Sequence, residues 1–410
     1  MLGTAPFQGT LVVFFPLYRI DVSSTGVYAY MRRVVAVGET LIDFTALDVD
    51  VPVGEATAFA RNPGGGPANV TVAIARLGGR AGMIGCVGGD PFGEFLMRTL
   101  AGYGVDIREM RAIAGYNTTL AFVARHKGEP DYFFVRNPGA DVLLSSEHVM
   151  NADIDGQTVL HFVSNALAAL PIRQTLLELM ARTKAAGGLL SFDVNLRPAF
   201  WSGSDALEQA KQWCEEALAQ ADIVKVNRDE LMWLGGRADD EEKQDAAGAG
   251  NTADEHDAAM EHEAAMEHEA AMEHETAMEH ETAALRALAE RAAGVCICTL
   301  GSRGAMALHR EWSSPVMVPA PRMQVLDTTG AGDAFIGALL FRLCADMGDT
   351  ADTADTAKIS ELHRRSAAEW TADLQFANHA SAISVTREGA MAAMPTLAEV
   401  HKQMADGNNT

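Results

Sequence analysis

The chain has 410 residues, is 48% hydrophobic and 21% charged, and carries a formal net charge of −23. That length allows two or three domains, and the strong negative charge disfavours nucleic acid as a partner. Five cysteines at scattered positions give no metal or redox spacing, and no apolar run is long enough to span a bilayer, so a reducing, cytoplasmic setting without a membrane partner is the expectation.

Residues 1–30 contain the apolar run LVVFFPLYRI, which is interrupted by Pro16 and has no helical or strand period. Residues 1–10 hold no Lys or Arg, so the run does not read as a signal peptide. Met31, followed by RRVVAVGET, reads as a complete start, which makes residues 1–30 an overcalled start or a disordered arm. RRVVAVGETLIDF is expected to open as a buried strand with small residues at its end. NPGGGPANVTVAIARLGG is a glycine-rich turn feeding a helix, with Val70, Ile74 and Leu77 three or four residues apart. AGMIGCVGGD reads as a strand, and PFGEFLMRTLAGYG as a helix ending at Gly102 or Gly104. Residues 118–135 read as two strands around a KGEPD turn.

TVLHFVSNAL, GGLLSFDVNLRP, ADIVKVNRDEL and GVCICTLGSRGA follow as strands, each reaching polar residues at its C-terminal end. Helical stretches near 171–186 and 205–220 separate them. This alternation predicts an α/β fold with a mostly parallel central sheet and helices on both faces. Ligands then bind beyond the carboxyl ends of the strands, where Asp43, Asp193, Asn195, Asn227 and Thr299 fall. The regions at about 44–62 and 115–136 stand outside the alternation and are expected to form a small β-flap over the site.

Residues 238–284 hold a six-residue repeat and carry fifteen of the net negative charges, so the acidity of the chain describes an insert rather than its core. His256, His262, His268, His274 and His280 invite a metal reading. Six residues on a helix advance a side chain by about 600°, which scatters successive histidines over three faces. The close pairing of a helical metal site is absent, and the methionines form no continuous seam. The insert reads as a solvated expansion, partly helical or disordered, and DTADTADTA (349–357) as a smaller one.

DTTGAGDAFIGALL (327–340) leads a glycine turn into an apolar helix. A helix N-terminus receives anions well, and Gly330 and Gly332 let the backbone approach a phosphate. Asp333 falls in the first turn, where the dipole favours its ionised form. A carboxylate there suits accepting a hydroxyl proton during phosphoryl transfer; the competing reading is an aspartate that merely caps the helix. The chain has no G-x-x-x-x-G-K-[ST] and no G-x-G-x-x-G between strand and helix, which disfavours a P-loop or dinucleotide site.

DTTGAGD resembles the catalytic signature of the ribokinase-like (PfkB) carbohydrate kinases, and PGGGPANVTVAIARLGG resembles their N-terminal signature, with Gly66 where alanine is commonest. GETLIDF, RNPGADVLL and DVNLRPAFW are closer to the fructokinase branch, with Val194 where proline is usual. The likeness covers about residues 32–236 and 285–396. It implies one PfkB-type domain at 31–400, interrupted by the 238–284 insert and followed by a tail at 401–410. It also implies ATP-dependent phosphorylation of a sugar, fructose to fructose 6-phosphate first. Ribokinase, 2-keto-3-deoxygluconate kinase and a non-catalytic sugar sensor on the same fold are the alternatives.

By this resemblance Asp333 is the general base, and the N–H groups of Gly330, Ala331 and Gly332 hold the transferring phosphate. Asp43, Gly65, Gly66 and Asn69 match sugar-holding positions, and Arg136 could reach sugar or phosphate. A turn residue at Asp43 and a surface salt bridge at Arg136 are the competing readings. Asn227, Thr299, Gly301, Ser302 and Gly304 suit ATP, and Asn378 the adenine. Glu230 of the N-x-x-E motif would organise hydrated Mg²⁺. Asp327 and Thr329 match positions where many relatives place K⁺, and the flap is a lid or a homodimer clasp.

Overall fold

The computed structural model describes residues 32–127, 129–136, 139–235, 276–346 and 362–407. The N-terminal extension, the acidic repeat as far as residue 275, the DTADTADTA stretch and residues 408–410 lie outside them. The first strand, β1 (Arg33–Val37), ends where Gly38 takes φ 147, and the chain leaves the central sheet as β2 (Leu41–Ala46). RRVVAVGETLIDF thus opens as the expected buried strand and continues, after Gly38, as a second strand in another sheet. Periodicity does not show the break, because both halves are extended and apolar. A side chain at Gly38 would collide with the Pro67 ring, 2.8 Å from the Cβ position.

β3 (Phe59–Gly64), α1 (Gly66–Arg76), β4 (Arg80–Gly88), α2 (Pro91–Gly102) and β5 (Asp106–Ile113) follow. Next come β6 (Leu120–His126), β7 (Glu129–Val135), the one-turn α3 (Ser146–Val149) and β8 (Thr158–Val163). The second half runs α4 (Ile172–Ala185), β9 (Leu189–Asp193), α5 (Ala206–Leu218), β10 (Ile223–Asn227), α6 (Arg228–Gly235) and α7 (276–291). It closes with β11 (Val295–Thr299), β12 (Ala305–Leu308), β13 (Val316–Val318), α8 (Ala331–Asp346), α9 (Ala367–Ser384) and α10 (Leu397–Gly407).

The central sheet has nine strands in the order β13-β12-β11-β10-β9-β8-β1-β4-β5. Every pairing is parallel except β11–β12 and β12–β13. β8 is buried at all six positions, as a strand covered on both faces must be. One face packs on α4, α5, α6 and α7 through Leu176, Cys214, Leu231 and Leu285. The other packs on α1, α8 and α9 through Ile74, Leu339 and Trp370. Cys296 and Cys298 share the first of these faces, as their alternation implied.

β3-β2-β6-β7 form a separate four-stranded sheet, with β2 and β6 parallel. This sheet contains the hairpin expected at 118–135 and the strand expected after Asp43. Asp43 pairs with Asn62 on one side and Ala121 on the other, and Ala121 pairs with Phe134. Cross-strand neighbours share a face, so Asp43, Asn62, Ala121 and Phe134 lie on one side of the flap. Phe44 and Phe122, stacked 5.1 Å apart, lie on the other, where Phe44 meets Phe92 of α2 edge-on. Asp43 thus reaches the site from the flap, not from a carboxyl end of the central sheet.

Candidate active site

Two helix N-termini converge. Gly337 lets α8 press on α1: a Cβ there would lie 2.6 Å from the Ala73 Cβ. That close packing brings Asn69, in the first turn of α1, to Asp333, in the first turn of α8. Asn69 Nδ2 donates to Asp333 Oδ2 at 2.8 Å, and Asn195 Nδ2, beyond β9, donates to Oδ1 at 3.4 Å. A Cβ at Gly66 would sit 2.9 Å from Asn195 Nδ2 and 3.8 Å from Asp333 Oδ1, so position 66 is a wall of the site that a side chain would fill.

Asp333 is 7% exposed. Burial raises its carboxyl above the ordinary value, against the pull of the Asn69 hydrogen bond and the positive charges of Lys225 and Arg197. A raised carboxyl is the stronger base once ionised. Asp43 is raised to about 7, first by burial and then by the charge on Asp333. Asn69 Oδ1 is buried without a hydrogen-bond partner, as are Thr40 Oγ1, Ser164 Oγ and Asn165 Oδ1. Orphaned polar atoms of this kind are rare in a folded interior. Here they lie just beyond the carboxyl ends of β1 and β8 and on the first turn of α1.

One of the N–H groups expected to hold a phosphate at the start of α8 is already used. The Ala331 N–H donates to the Thr328 carbonyl at 3.2 Å, so it is occupied within the turn. Gly332 faces a cation: a Cβ there would stand 2.9 Å from Lys225 Nζ. Lys225 is buried on β10 and pairs across the sheet with Asp193, 3.1 Å from each carboxylate oxygen. Burial works against its ammonium, but Asp193 and then Glu230 and Asp333 outweigh it and hold Lys225 charged. The flap reaches the same turn, where Arg125 Nη2 donates to Thr328 Oγ1 at 3.3 Å.

The pattern of the pfkB family carbohydrate kinases matches residues 31–257 and 259–397. The chain belongs to this family. It is 36% identical to rice (Oryza sativa subsp. japonica) fructokinase-1 over 90% of its own length and 97% of that protein's. It is 35% identical to fructokinase-1 of Zea mays, over 90% and 96% of the two chains. Among solved structures it is similar to the Xylella fastidiosa fructokinase with bound ATP, with a TM-score of 0.71 and 30% identity over 92% of this chain and 99% of that one. It is also similar to the Vibrio cholerae O395 fructokinase bound to fructose, ADP and calcium, with a TM-score of 0.67 and 28% identity over 91% and 99%. The protein is a ribokinase-like PfkB carbohydrate kinase, a phosphotransferase acting on a sugar hydroxyl.

Not every residue expected at the kinase's site faces Asp333. Arg136 donates twice to Asp141 Oδ2, at 2.6 and 2.9 Å, and lies 4.2 Å over the Phe200 ring at the base of the flap. Asn378 is buried, with Nδ2 donating to the carbonyls of Val318 and Pro319. The N-x-x-E motif is a capping box: Asn227 Oδ1 accepts from the Glu230 N–H, and Glu230 Oε2 accepts from the Asn227 N–H, both at 2.8 Å. Glu230 Oε1 takes the Leu196 N–H at 2.8 Å, which ties the turn after β9 to that after β10. Asp327 Oδ1 accepts from the Thr329 N–H and hydroxyl, and Oδ2 from the Gly389 N–H. Thr299 Oγ1 donates to the Val226 carbonyl at 3.4 Å. Gly301, Ser302 and Gly304 form the tight turn after β11, where Gly304 at φ 102 presses on the Val318 carbonyl.

Lys225, Arg197 and Glu39 were not singled out from the sequence. A lysine inside the apolar strand IVKVN was the available signal, since a charge is rarely buried without a partner. Glu39 is fully buried and receives Asn165 Nδ2 at 3.2 Å, so burial raises its carboxyl.

Proposed function

We propose that this kinase phosphorylates fructose from ATP, with Asp333 as general base. The observation that carries the reading is the buried Asp333 carboxylate, fixed by Asn69 at the N-terminus of α8 and beside an unpartnered Asn69 Oδ1. Asp333 takes the proton of the sugar hydroxyl. The freed oxygen attacks the γ-phosphorus, and the bond to the ADP oxygen breaks. Lys225 and the Gly332 N–H neutralise the charge on the phosphoryl oxygens. Asp43, Asn69 and Asn165, with Gly65 and Gly66 as the wall, hold the sugar hydroxyls, and Arg136 braces the flap through Asp141. The turns at 227–230 and 299–304 take the nucleotide, with Asn378 of α9 holding the end of β13 beside them.

Magnesium would arrive on the ATP phosphates and supply charge neutralisation there. Each Glu230 oxygen accepts one backbone N–H, which leaves lone pairs that fit a hydrogen bond to a metal-bound water. Among the described residues no cluster of His, Cys, Asp or Glu suits direct ligation. A potassium ion at Asp327 and Thr329 would share oxygens that this turn already uses. The fructokinase relatives favour fructose over ribose or 2-keto-3-deoxygluconate. Exposed Tyr132 and Phe133 on the flap favour a homodimer through it. Five buried, unpaired cysteines suit a reducing, cytoplasmic setting, and among the described residues no helix is long and apolar enough to cross a membrane. Coupled ADP release over a panel of sugars tests the reading: fructose should give the highest kcat/KM, and no turnover with any sugar overturns it.

A further inference from the structure

The buried stripe of α7 runs through Ala284, Leu285, Leu288 and Ala289, all packed in the core under β10 and β11. One turn earlier the same face carries Glu281, from the last EHET unit of the acidic repeat, with 0% of its surface exposed. Its Oε1 accepts from Arg228 Nε at 2.7 Å, and its Oε2 accepts from Arg303 Nη1 at 2.9 Å. Arg228 opens α6 directly after Asn227, and Arg303 ends the 301–303 turn before Gly304. Asn227 and Thr299 are register partners on neighbouring parallel strands, so the two loops leave the sheet side by side. Glu281 joins them from the third element.

A leucine at 281 would pack α7 as Leu285 does, whereas a buried carboxylate is costly unless it is paired. What the carboxylate adds is direction: it fixes two guanidiniums, and through them the spacing of two turns. Burial pushes its carboxyl up, but the forks of Arg303 and Arg228 outweigh that and hold it below the ordinary range.

We propose that Glu281 is a positioning residue for the nucleotide, holding the 301–304 turn against the capped turn at Asn227 before ATP binds. The proposal rests on the reading of these two turns as the nucleotide side of the site. Preorganisation of this kind acts on the affinity for one substrate, not on the chemistry. In the full chain, Glu281→Gln and Arg303→Gln should each raise the ATP KM by about three- to tenfold, leaving fructose KM and kcat within about twofold. The double variant should be no worse than the worse single one, because both act through one contact. An unchanged ATP KM, an equal rise in both KM values, or additive effects would overturn the proposal. If Glu281→Gln does not fold, Arg303→Lys keeps the charge but loses the fork; the same selective rise, in smaller measure, is expected, and none overturns it. Calorimetric titration with ADP separates the two levels. A wild-type chain that does not bind ADP overturns the kinase reading, whereas equal ADP affinity in wild type and Glu281→Gln overturns only the role of Glu281.

Discussion

Asp333→Asn isolates the proton-transfer role from the fold. Asparagine keeps the volume and one acceptor. Turned so that its oxygen faces Asn69, it retains the 2.8 Å hydrogen bond, and its amide then meets Asn195 Nδ2, donor to donor, where the wild-type contact is 3.4 Å. That lost contact costs about 0.5–1.5 kcal/mol. Opposing it, the amide has no charge to desolvate, whereas burial raises the wild-type carboxyl. The melting temperature should therefore stay within a few degrees of wild type. A positioned general base contributes about 10²–10⁴ in rate, or about 2.7–5.5 kcal/mol at 1.36 kcal/mol per decade. In coupled ADP release at saturating substrates, kcat should fall by that factor, with both KM values within about threefold. A folded Asp333→Asn chain whose kcat lies within tenfold of wild type would refute the base assignment.

Glu230→Gln removes one of the two acceptors that serve the Leu196 and Asn227 N–H groups. A stability loss of about 1–2 kcal/mol is expected, read in denaturant, together with a shift of the Mg²⁺ titration to higher concentration. A stability loss with an unchanged titration would leave Glu230 as a cap only. The Asp43 carboxyl, raised to about 7 from 3.8, binds its proton more tightly in the folded than in the unfolded chain. Its contribution to stability is then present below the unfolded pKa and is lost as pH rises through the folded one. Between pH 5 and pH 8, Asp43→Asn should lose less melting temperature than wild type. Parallel melting curves would show that Asp43 is not raised.

The alternation of strands and helices was legible because each parallel strand is a nearly continuous apolar run, such as TVLHFV and IVKVN, ending in polar residues. β5 was not read: DIREMRAI is an edge strand whose half-exposed charges hide its burial pattern. β12 and β13, at four and three residues, are too short for periodicity to show. The bend at Gly38 was equally hidden, because what demands it is the Pro67 ring, a contact across the fold. At the site, Asp333 and Asn69 could be located from their motifs, but not their mutual hydrogen bond. The N-x-x-E motif pointed to a metal partner, and its geometry shows a helix cap that joins two loops. The repeat was read as ending at 284, yet α7 is formed by 276 and Glu281 is buried, since a periodic sequence does not reveal which unit meets an arginine pair.

The proposed mechanism asks the site to hold both a buried base and a metal-carried nucleotide, and its charges bear on both. Asp193, Glu230 and Asp333 act on Lys225, and Arg197 is a second cation acting on Asp43 and Asp333. Burial is the first cause that raises both Asp43 and Asp333; the charge on Asp333 adds to it at Asp43, whereas the Asn69 hydrogen bond, Lys225 and Arg197 pull Asp333 the other way. A nucleotide triphosphate adds more negative charge to the same space. Lys225 is already held by Asp193, so it cannot by itself neutralise a triphosphate beside Asp333. A divalent cation on the phosphates lowers the repulsion on arrival. On the proposed mechanism, Asp333 would take the hydroxyl proton beside the α8 turn while the phosphoryl group is in place.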